Sequence, residues 1–307
     1  MEHWSRQLVE SFALQRQYMI ILRAEHLGMC CGVRHAIQMA LAQAASAPLT
    51  IFGDLVHNET VLARLRAAGV SIVNDPRGVR TPHVLVTAHG ASEARKAGLR
   101  ARGHTVREAT CPLVASVHRA VAQLVRDGFH PVIVGKRGHV EVLGLTEDLV
   151  ESDVVLTEAD IDALNERARF GVVAQTTQPI ERVRQLVARL RHRFPRAEVR
   201  FIDTVCQPTK LRQHAAADLA QRCDVVVVIG GAESNNTREL AATCRRHCAR
   251  VYHVQTASDL QPDWFGPDDR AGLTAGTSTP DTIIDEVEEW MRRVAKGLAA
   301  RAPVSAA

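Results

Sequence analysis

The stretch Ala109-Thr110-Cys111-Pro112-Leu113-Val114 places a cysteine between an apolar strand, predicted at residues 105–109, and the first turn of a helix. Proline suits that turn because its missing N–H would have no partner there. A thiol at a helix N-terminus is biased toward the thiolate, the form that binds metals and attacks electrophiles. One such cysteine is weak evidence, but the arrangement occurs three times in this chain.

The chain repeats one strand pattern after each of three cysteines. Each cysteine is followed by an apolar strand that ends in glycine, at predicted residues 49–52, 131–134 and 225–229. These glycines are Gly53, Gly135 and Gly230, which lie 23, 24 and 24 residues after Cys30, Cys111 and Cys206. The polar residues four positions further on are His57, His139 and Ser234. The pattern favours one α/β unit used three times, although apolar strands that end in glycine recur in any α/β protein.

Each unit also carries a second apolar strand that ends in a polar turn. The three turns are residues 87–90, 175–177 and 274–278. Parallel α/β units carry their functional residues at the carboxyl ends of strands. Three units that face one another would therefore gather three cysteines and several His, Ser, Thr and Asn side chains around one cavity.

The repeat divides the chain into three domains with short ends. The boundaries are an N-terminal extension at 1–18, α/β domains at 19–110, 111–205 and 206–296, and a tail at 297–307 that follows a closing helix at 279–297. A chain of 307 residues is long enough for this division.

Composition excludes several classes of partner. The net charge is +4 and aromatic residues make up 4% of the chain, so few side chains could stack on nucleic-acid bases. No apolar run approaches the ~20 residues that a membrane helix needs. We therefore expect a cytoplasmic protein that binds neither nucleic acid nor membranes. Seven cysteines in such a chain point to metal or redox chemistry more than to disulfides, and no Cys-x-x-Cys pair occurs.

Two turns carry polar groups suited to an anion. The glycine-rich, basic turn at 135–141 contains His139 and Glu141, which would face the same side if the backbone were extended. That pair could bind an anion and supply a proton, or the turn could be an ordinary solvated loop. The turn at 230–237 opens a helix with Ser, Asn and Thr, which suits a phosphate but also suits a simple N-cap.

The other cysteines are less informative. Of the adjacent pair Cys30 and Cys31, we expect only one to face the cavity, and the offsets favour Cys30. Cys223, Cys244 and Cys248 lack the partners of a zinc site and are interpreted as packing residues. The arginine-rich face of the helix at 179–193 is a solvated surface or a docking face for an acidic electron carrier.

Taken together, nine motifs in one order resemble the 4-hydroxy-3-methylbut-2-enyl diphosphate reductase family, over about residues 19–296. They are Gly-Met-Cys-Cys-Gly-Val at 28–33, Val-His-Asn at 56–58, Thr-Ala-His-Gly at 87–90, Ala-Thr-Cys-Pro-Leu-Val at 109–114, Gly-His-Val-Glu-Val at 138–142, Gln-Thr-Thr at 175–177, the turn at Cys206, Ser-Asn-Asn-Thr at 234–237 and Thr-Ala-Gly-Thr-Ser at 274–278. The resemblance implies three α/β domains in a pseudo-threefold trefoil around a [4Fe–4S] cluster.

The resemblance also implies roles for individual residues. The cluster ligands would be Cys30, Cys111 and Cys206, and one iron would remain without a protein ligand. The catalytic residues would be Glu141 as proton source, Thr176 at the substrate hydroxyl, and His139 between the acid and the diphosphate. The diphosphate ligands would be His57, His89, Ser234, Asn235, Asn236 and Ser278. The substrate would be a small allylic diphosphate, and the electrons would come from a donor such as ferredoxin or flavodoxin with its reductase.

Several positions depart from the family pattern. Cys31, Lys136 and Arg137 are unusual, and the segment after Cys206, commonly Cys-x-Ala-Thr-x-x-Arg-Gln, reads Cys-Gln-Pro-Thr-Lys-Leu-Arg-Gln here. The family usually reads Asn-Ser-Ser-Asn where this chain has Glu233-Ser234-Asn235-Asn236. Asn235 can still donate hydrogen bonds, and we expect Glu233 to point away from the anion. These departures suggest a divergent member or a second copy. They keep two alternatives open, a paralogue that reduces another allylic or phosphorylated substrate and a cluster-based redox or oxygen sensor.

Overall fold

The computed structural model describes residues 18–301. Apart from Tyr18, the predicted N-terminal extension lies outside these residues, as do residues 302–307 of the predicted tail. The closing helix is Asp281–Arg301, so residues 297–301 are helical and not part of a loose tail. The reason is composition, because the Leu-Ala-Ala run after Gly297 consists of strong helix formers.

Three parallel four-stranded sheets form the framework, and helices connect their strands. In spatial order, the first sheet consists of Ser71–Val73, Leu49–Phe52, His83–Val86 and Thr105–Glu108. The second consists of Asp153–Val155, His130–Val134, Arg169–Ala174 and Glu198–Phe201. The third consists of Arg250–Val254, Val225–Ile229, Arg270–Ala275 and Ile20–Arg23. The predicted α/β class with three similar units is confirmed, since the three sheets share one strand order.

One strand lies outside its predicted domain. Ile20–Arg23, which the sequence division assigned to the first domain, pairs with Arg270–Leu273 of the third sheet. In the other two sheets, the fourth strand likewise comes immediately before a cysteine and pairs with the preceding unit. Ile20–Arg23 follows the same rule, and its preceding unit is the third because the arrangement is cyclic. The remaining boundaries stay predictions.

The sheets are held by apolar packing on both faces. Val225–Ile229 is completely buried, and the continuous apolar run is typical of a central parallel strand. Helix Pro112–Arg126 buries Val114, Val117, Val121 and Leu124, one stripe at helical spacing. The helices are Cys31–Ser46, Glu59–Ala67, Glu93–Ala101, Pro112–Arg126, Val140–Thr146, Glu158–Asp162, Ile180–Arg193, Gln207–Ala220, Asn235–Arg245 and Asp281–Arg301. Among these, none has both the length and the apolar character that crossing a membrane would require.

The turn at 135–141 differs from its predicted conformation. His139 is the cap of helix Val140–Thr146, and its Nδ1 accepts the N–H of Glu141 at 3.1 Å. Gly138, with φ of +76°, turns the chain into this helix, a conformation that glycine adopts without steric cost. Glu141 is therefore in a helical first turn, and the expectation of extended backbone was wrong.

Candidate active site

Three cysteines occupy equivalent positions in the three units. Cys30, Cys111 and Cys206 each directly precede a helix. Each cysteine N–H donates, at 3.0 Å, to a carbonyl in the polar turn of a neighbouring sheet. The accepting carbonyls are those of Thr277, Ala88 and Thr176, in the same order. The strand ends therefore bring the three predicted cysteines together around one cavity.

The cavity wall also contains Cys31, which is an exposed residue. That only one of the adjacent cysteines directs its thiol into the cavity stays a prediction. The backbone bond to Thr277 nevertheless singles out Cys30 as the equivalent of Cys111 and Cys206.

Cys111 and Cys206 do not have the low pKa that a helix N-terminus suggests. The backbone N–H groups of Leu113 and Val114 lower the pKa of Cys111, but burial has the larger effect and raises it. Burial likewise raises the pKa of Cys206 to about 11. These thiols are therefore protonated near neutral pH and would release protons on binding a metal centre.

The donors around the cavity are of the type that an iron–sulfur centre uses. Within residues 18–301, no three His, Cys, Asp or Glu side chains converge closely enough for one metal ion. Three thiols around a cavity suit a polynuclear iron–sulfur centre, in which separate irons take separate cysteines. Glycine keeps part of this space free, because a Cβ on Gly32 would lie 2.5 Å from Cys111 Sγ.

Glu141 and Thr176 form a buried pair beside the cysteines. Glu141 is 1% exposed, and its Oε1 accepts the Thr176 N–H at 2.7 Å. Thr176 Oγ1 donates to the other carboxyl oxygen at 3.1 Å. Burial raises the pKa of Glu141 to about 7, against the opposing effect of these hydrogen bonds. A carboxyl with this pKa can hold a proton at neutral pH and deliver it.

The raised pKa of Glu141 predicts a loss of stability with rising pH. In the unfolded chain the carboxyl has its ordinary pKa of 4.5, so it loses its proton before the folded chain does. The free energy of unfolding should therefore fall as the pH rises from 4.5 to about 7. Glu141→Gln has no carboxyl at this position and should not show this fall. Its free energy of unfolding, relative to that of the wild type, should therefore increase between pH 5 and about 8.

Thermal unfolding of both anaerobically purified proteins across this range measures the effect. The three site histidines make the free energy of unfolding rise with pH, opposite to the effect of Glu141, since burial lowers their pKa values. The difference between the variant and the wild type therefore isolates Glu141. A constant difference across the range would contradict the raised pKa.

Three histidines meet beside this pair. The His57 and His89 rings stack with centroids 4.5 Å apart, and the His139 ring lies 5.2 Å from His57 and 5.6 Å from His89. Burial lowers the pKa of all three, to about 3 for His139. Both ring nitrogens of His57 and Nδ1 of His89 are buried without a partner in the described chain. Neutral imidazoles with unused nitrogens are suited to hydrogen-bond a polar ligand.

The third unit contributes the predicted polar residues, with one difference. Ser234 caps helix Asn235–Arg245, and Asn236 Nδ2 is buried without a partner among residues 18–301. Ser278 Oγ donates to the His57 carbonyl at 3.4 Å. Asn235 instead directs its amide to Thr177, whose Oγ1 accepts at 3.0 Å. Asn235 thus links the second and third units.

Glu233 and the distant cysteines lie as predicted. The Glu233 side chain is 80% exposed and faces Arg238. Cys244 and Cys248 are buried in an apolar cluster against which Cys223 packs. The interpretation of these three as packing cysteines is confirmed.

Sequence reasoning missed Arg212, a buried arginine on helix Gln207–Ala220, the helix that begins after Cys206. Its guanidinium donates to the Gly28 carbonyl through Nε at 3.0 Å and Nη2 at 2.7 Å. The only available signal was the arginine six residues after Cys206, in a segment where the family commonly reads Cys-x-Ala-Thr-x-x-Arg-Gln.

Fold and site together define an α/β enzyme that joins three thiols and a buried acid around one cavity, with neutral imidazoles beside the acid. The sequence profile of the LytB protein family matches residues 21–292, and the chain belongs to this family. The predicted family resemblance is thereby confirmed.

Curated relatives cover nearly the whole chain. A protein of Aquifex aeolicus is 37% identical over 90% of this chain and 97% of its own length. One from Citrifermentans bemidjiense is 38% identical over 91% of this chain and 99% of its own. Both are 4-hydroxy-3-methylbut-2-enyl diphosphate reductases. At this similarity the chain is an oxidoreductase.

Two solved structures have the same fold. The first is the structure of (E)-4-hydroxy-3-methyl-but-2-enyl diphosphate reductase, which is 36% identical and has a TM-score of 0.65. The match covers 90% of this chain and 100% of that one. The other, of the E-1-hydroxy-2-methyl-but-2-enyl-4-diphosphate reductase from Plasmodium falciparum, is 26% identical and has a TM-score of 0.83, over 90% of this chain and 88% of that one.

Proposed function

We propose that this protein reduces (E)-4-hydroxy-3-methylbut-2-enyl diphosphate to isopentenyl diphosphate and dimethylallyl diphosphate. The observation that carries the proposal is one cavity lined by Cys30, Cys111, Cys206, Glu141 and Thr176. The three neutral histidines lie next to this acid. Thiols, acid and anion ligands are the three parts that this reaction requires.

The three cysteines would hold a [4Fe–4S] cluster as thiolates. When bound, such a cluster supplies electrons and a Lewis-acidic iron, because three thiolates leave one of the four irons without a protein ligand. The residues support this assignment through their equivalent backbone bonds and the space that Gly32 leaves beside Cys111.

Glu141 would supply the proton that the leaving hydroxyl needs. The reaction consumes two electrons and two protons, breaks the allylic C–O bond and releases the hydroxyl as water, while the second proton joins the allylic carbon chain. Thr176 Oγ1, now bonded to Glu141, would hold the substrate hydroxyl beside the acid. His139 Nδ1 accepts the N–H of Glu141, and the ring held in this way would lie between the acid and the diphosphate.

The diphosphate would lie against His57, His89, His139 and the start of helix Asn235–Arg245. The unpartnered nitrogens of His57, His89 and Asn236 are available for its oxygens. Lys136 and Arg238 also lower the pKa of His139, so both cations lie close enough to act on this ring. The set includes Ser234, Asn235, Asn236 and Ser278, as the resemblance implies.

The electrons would come from a one-electron carrier such as ferredoxin or flavodoxin with its own reductase. We place this activity in the cytoplasm, where thiols stay reduced. A sensor without turnover would not need the buried Glu141–Thr176 pair, and the enzyme is therefore the better interpretation.

A substrate titration tests the proposal directly. The protein is purified without oxygen, its iron and sulfide are measured, and the hydroxymethylbutenyl diphosphate is added while the cluster spectrum is followed. We expect a four-iron spectrum that shifts with substrate, followed by both products when a reductant is supplied. A cluster that ignores this substrate would favour a paralogue, an outcome consistent with the link from Asn235 to Thr177. A protein that takes up no cluster after reconstitution would refute the proposal.

A further inference from the structure

Arg212 is a buried cation without an acidic partner. The residue is 9% exposed, and no carboxylate of residues 18–301 lies within 4.0 Å of its guanidinium. Its contacts are carbonyl oxygens, those of Gly28 and, at 3.0 Å, Pro208. Arg250, by contrast, pairs with Asp269 at 2.6 Å. A buried charge without a counter-charge is costly, and carbonyl dipoles offset that cost only in part.

The carbonyls that Arg212 contacts lie beside two of the site cysteines, since Gly28 is two residues before Cys30 and Pro208 is two residues after Cys206. Burial lowers the pKa of Arg212, and Cys30, Cys206 and Cys31 oppose this effect. An arginine remains protonated even when its pKa falls. The positive charge is therefore permanent, and it lies beside the segments that carry two of the proposed cluster ligands.

We propose that Arg212 is the counter-charge of the thiolate set, a positioning residue that ties the Cys30 loop to the Cys206 helix and favours the reduced centre. The proposal rests on the cluster of the proposed function. Gly28 lies two residues before Cys30, so the paired bonds to its carbonyl fix the relative position of two ligand segments.

The charge of Arg212 should raise the reduction potential of the centre. Reduction adds one electron, and a fixed positive charge nearby stabilises the more negative state more strongly. Removing the charge should make the one-electron reduction about tenfold less favourable, which corresponds to about 59 mV. Arg212→Lys keeps the charge but not the paired bonds to Gly28, so its potential should stay close to that of the wild type.

Potentiometric titration without substrate measures this effect independently of turnover. The reconstituted proteins are titrated with a low-potential chemical reductant and mediators, and the cluster spectrum reports the midpoint. The samples are wild type, Arg212→Gln, Arg212→Lys and Arg222→Gln, the last removing an exposed charge just beyond the same helix. We expect only Arg212→Gln to shift to a more negative potential.

The outcomes separate this inference from the proposed function. An unchanged potential in Arg212→Gln, or an equal shift in Arg212→Lys, would overturn the role of the charge. If Arg212→Gln binds no iron, the Arg212→Lys variant provides the test. A variant that keeps its iron and a wild-type potential supports the inference, and loss of iron in both variants overturns it. A wild-type protein without a cluster would overturn the proposed function and this inference with it.

Discussion

Replacing Cys111 by serine is expected to remove most of the cluster iron and to reduce turnover by more than about a hundredfold. Cys111 is one of three equivalent residues, and no other described cysteine donates its backbone N–H to Ala88. Serine has a similar size, but its hydroxyl is a poor ligand for iron, which prefers the softer thiolate. Cys30→Ser and Cys206→Ser should have the same effect, because each removes one ligand.

Cys31→Ser is the matched control, since Cys31 lines the same cavity but is exposed and lacks the equivalent backbone bond. Iron and sulfide per chain, measured after anaerobic reconstitution, should fall in the three ligand variants and stay unchanged in Cys31→Ser. Circular dichroism of each variant shows whether it has folded. If Cys31→Ser loses the cluster while Cys30→Ser keeps it, the assignment of Cys30 is wrong.

The central strands and the cysteine positions could be predicted because both depend on local sequence. Val225–Ile229 is buried on both faces, and a continuous apolar run that ends in glycine reveals such a strand. The short edge strands Ser71–Val73 and Asp153–Val155 were missed, since they are partly exposed and carry no such run. The pairing of Ile20–Arg23 with Arg270–Leu273 joins the two ends of the chain, and no local pattern encodes it.

Competition between local and tertiary effects explains the other differences. A helix N-terminus does favour the Cys111 thiolate, but burial, which is not readable from the motif, outweighs it. His139 was predicted next to Glu141 in extended backbone, yet Gly138 and the cap bond start a helix there. Arg212 was missed because arginine on a helix usually faces water, and only the tertiary structure shows its bonds to Gly28.

Glu141→Gln should keep the cluster and lower turnover by about 10²- to 10⁴-fold, the range that a general acid contributes. Glutamine has nearly the same shape and can still accept the Thr176 N–H, so cavity and ligands should persist. It cannot release a proton to the hydroxyl. The measurement is product formation under anaerobic conditions with a reduced carrier, with iron per chain determined on the same samples. Glu181→Gln, at a side chain that is 69% exposed, is the matched control and should be fully active.

The pH profile then separates proton donation from a positioning effect. Burial raises the pKa of Glu141 to about 7, so the protonated fraction of the acid falls as the pH rises through that value. Wild-type turnover should decline over the same range, while the residual turnover of Glu141→Gln should not follow this decline. If the variant is slow but shows the same pH dependence, another group provides the proton and Glu141 acts through Thr176 alone. If the variant is fully active, the reaction does not need the Glu141 proton and the acid role is refuted. No other carboxyl of the described chain lines this cavity.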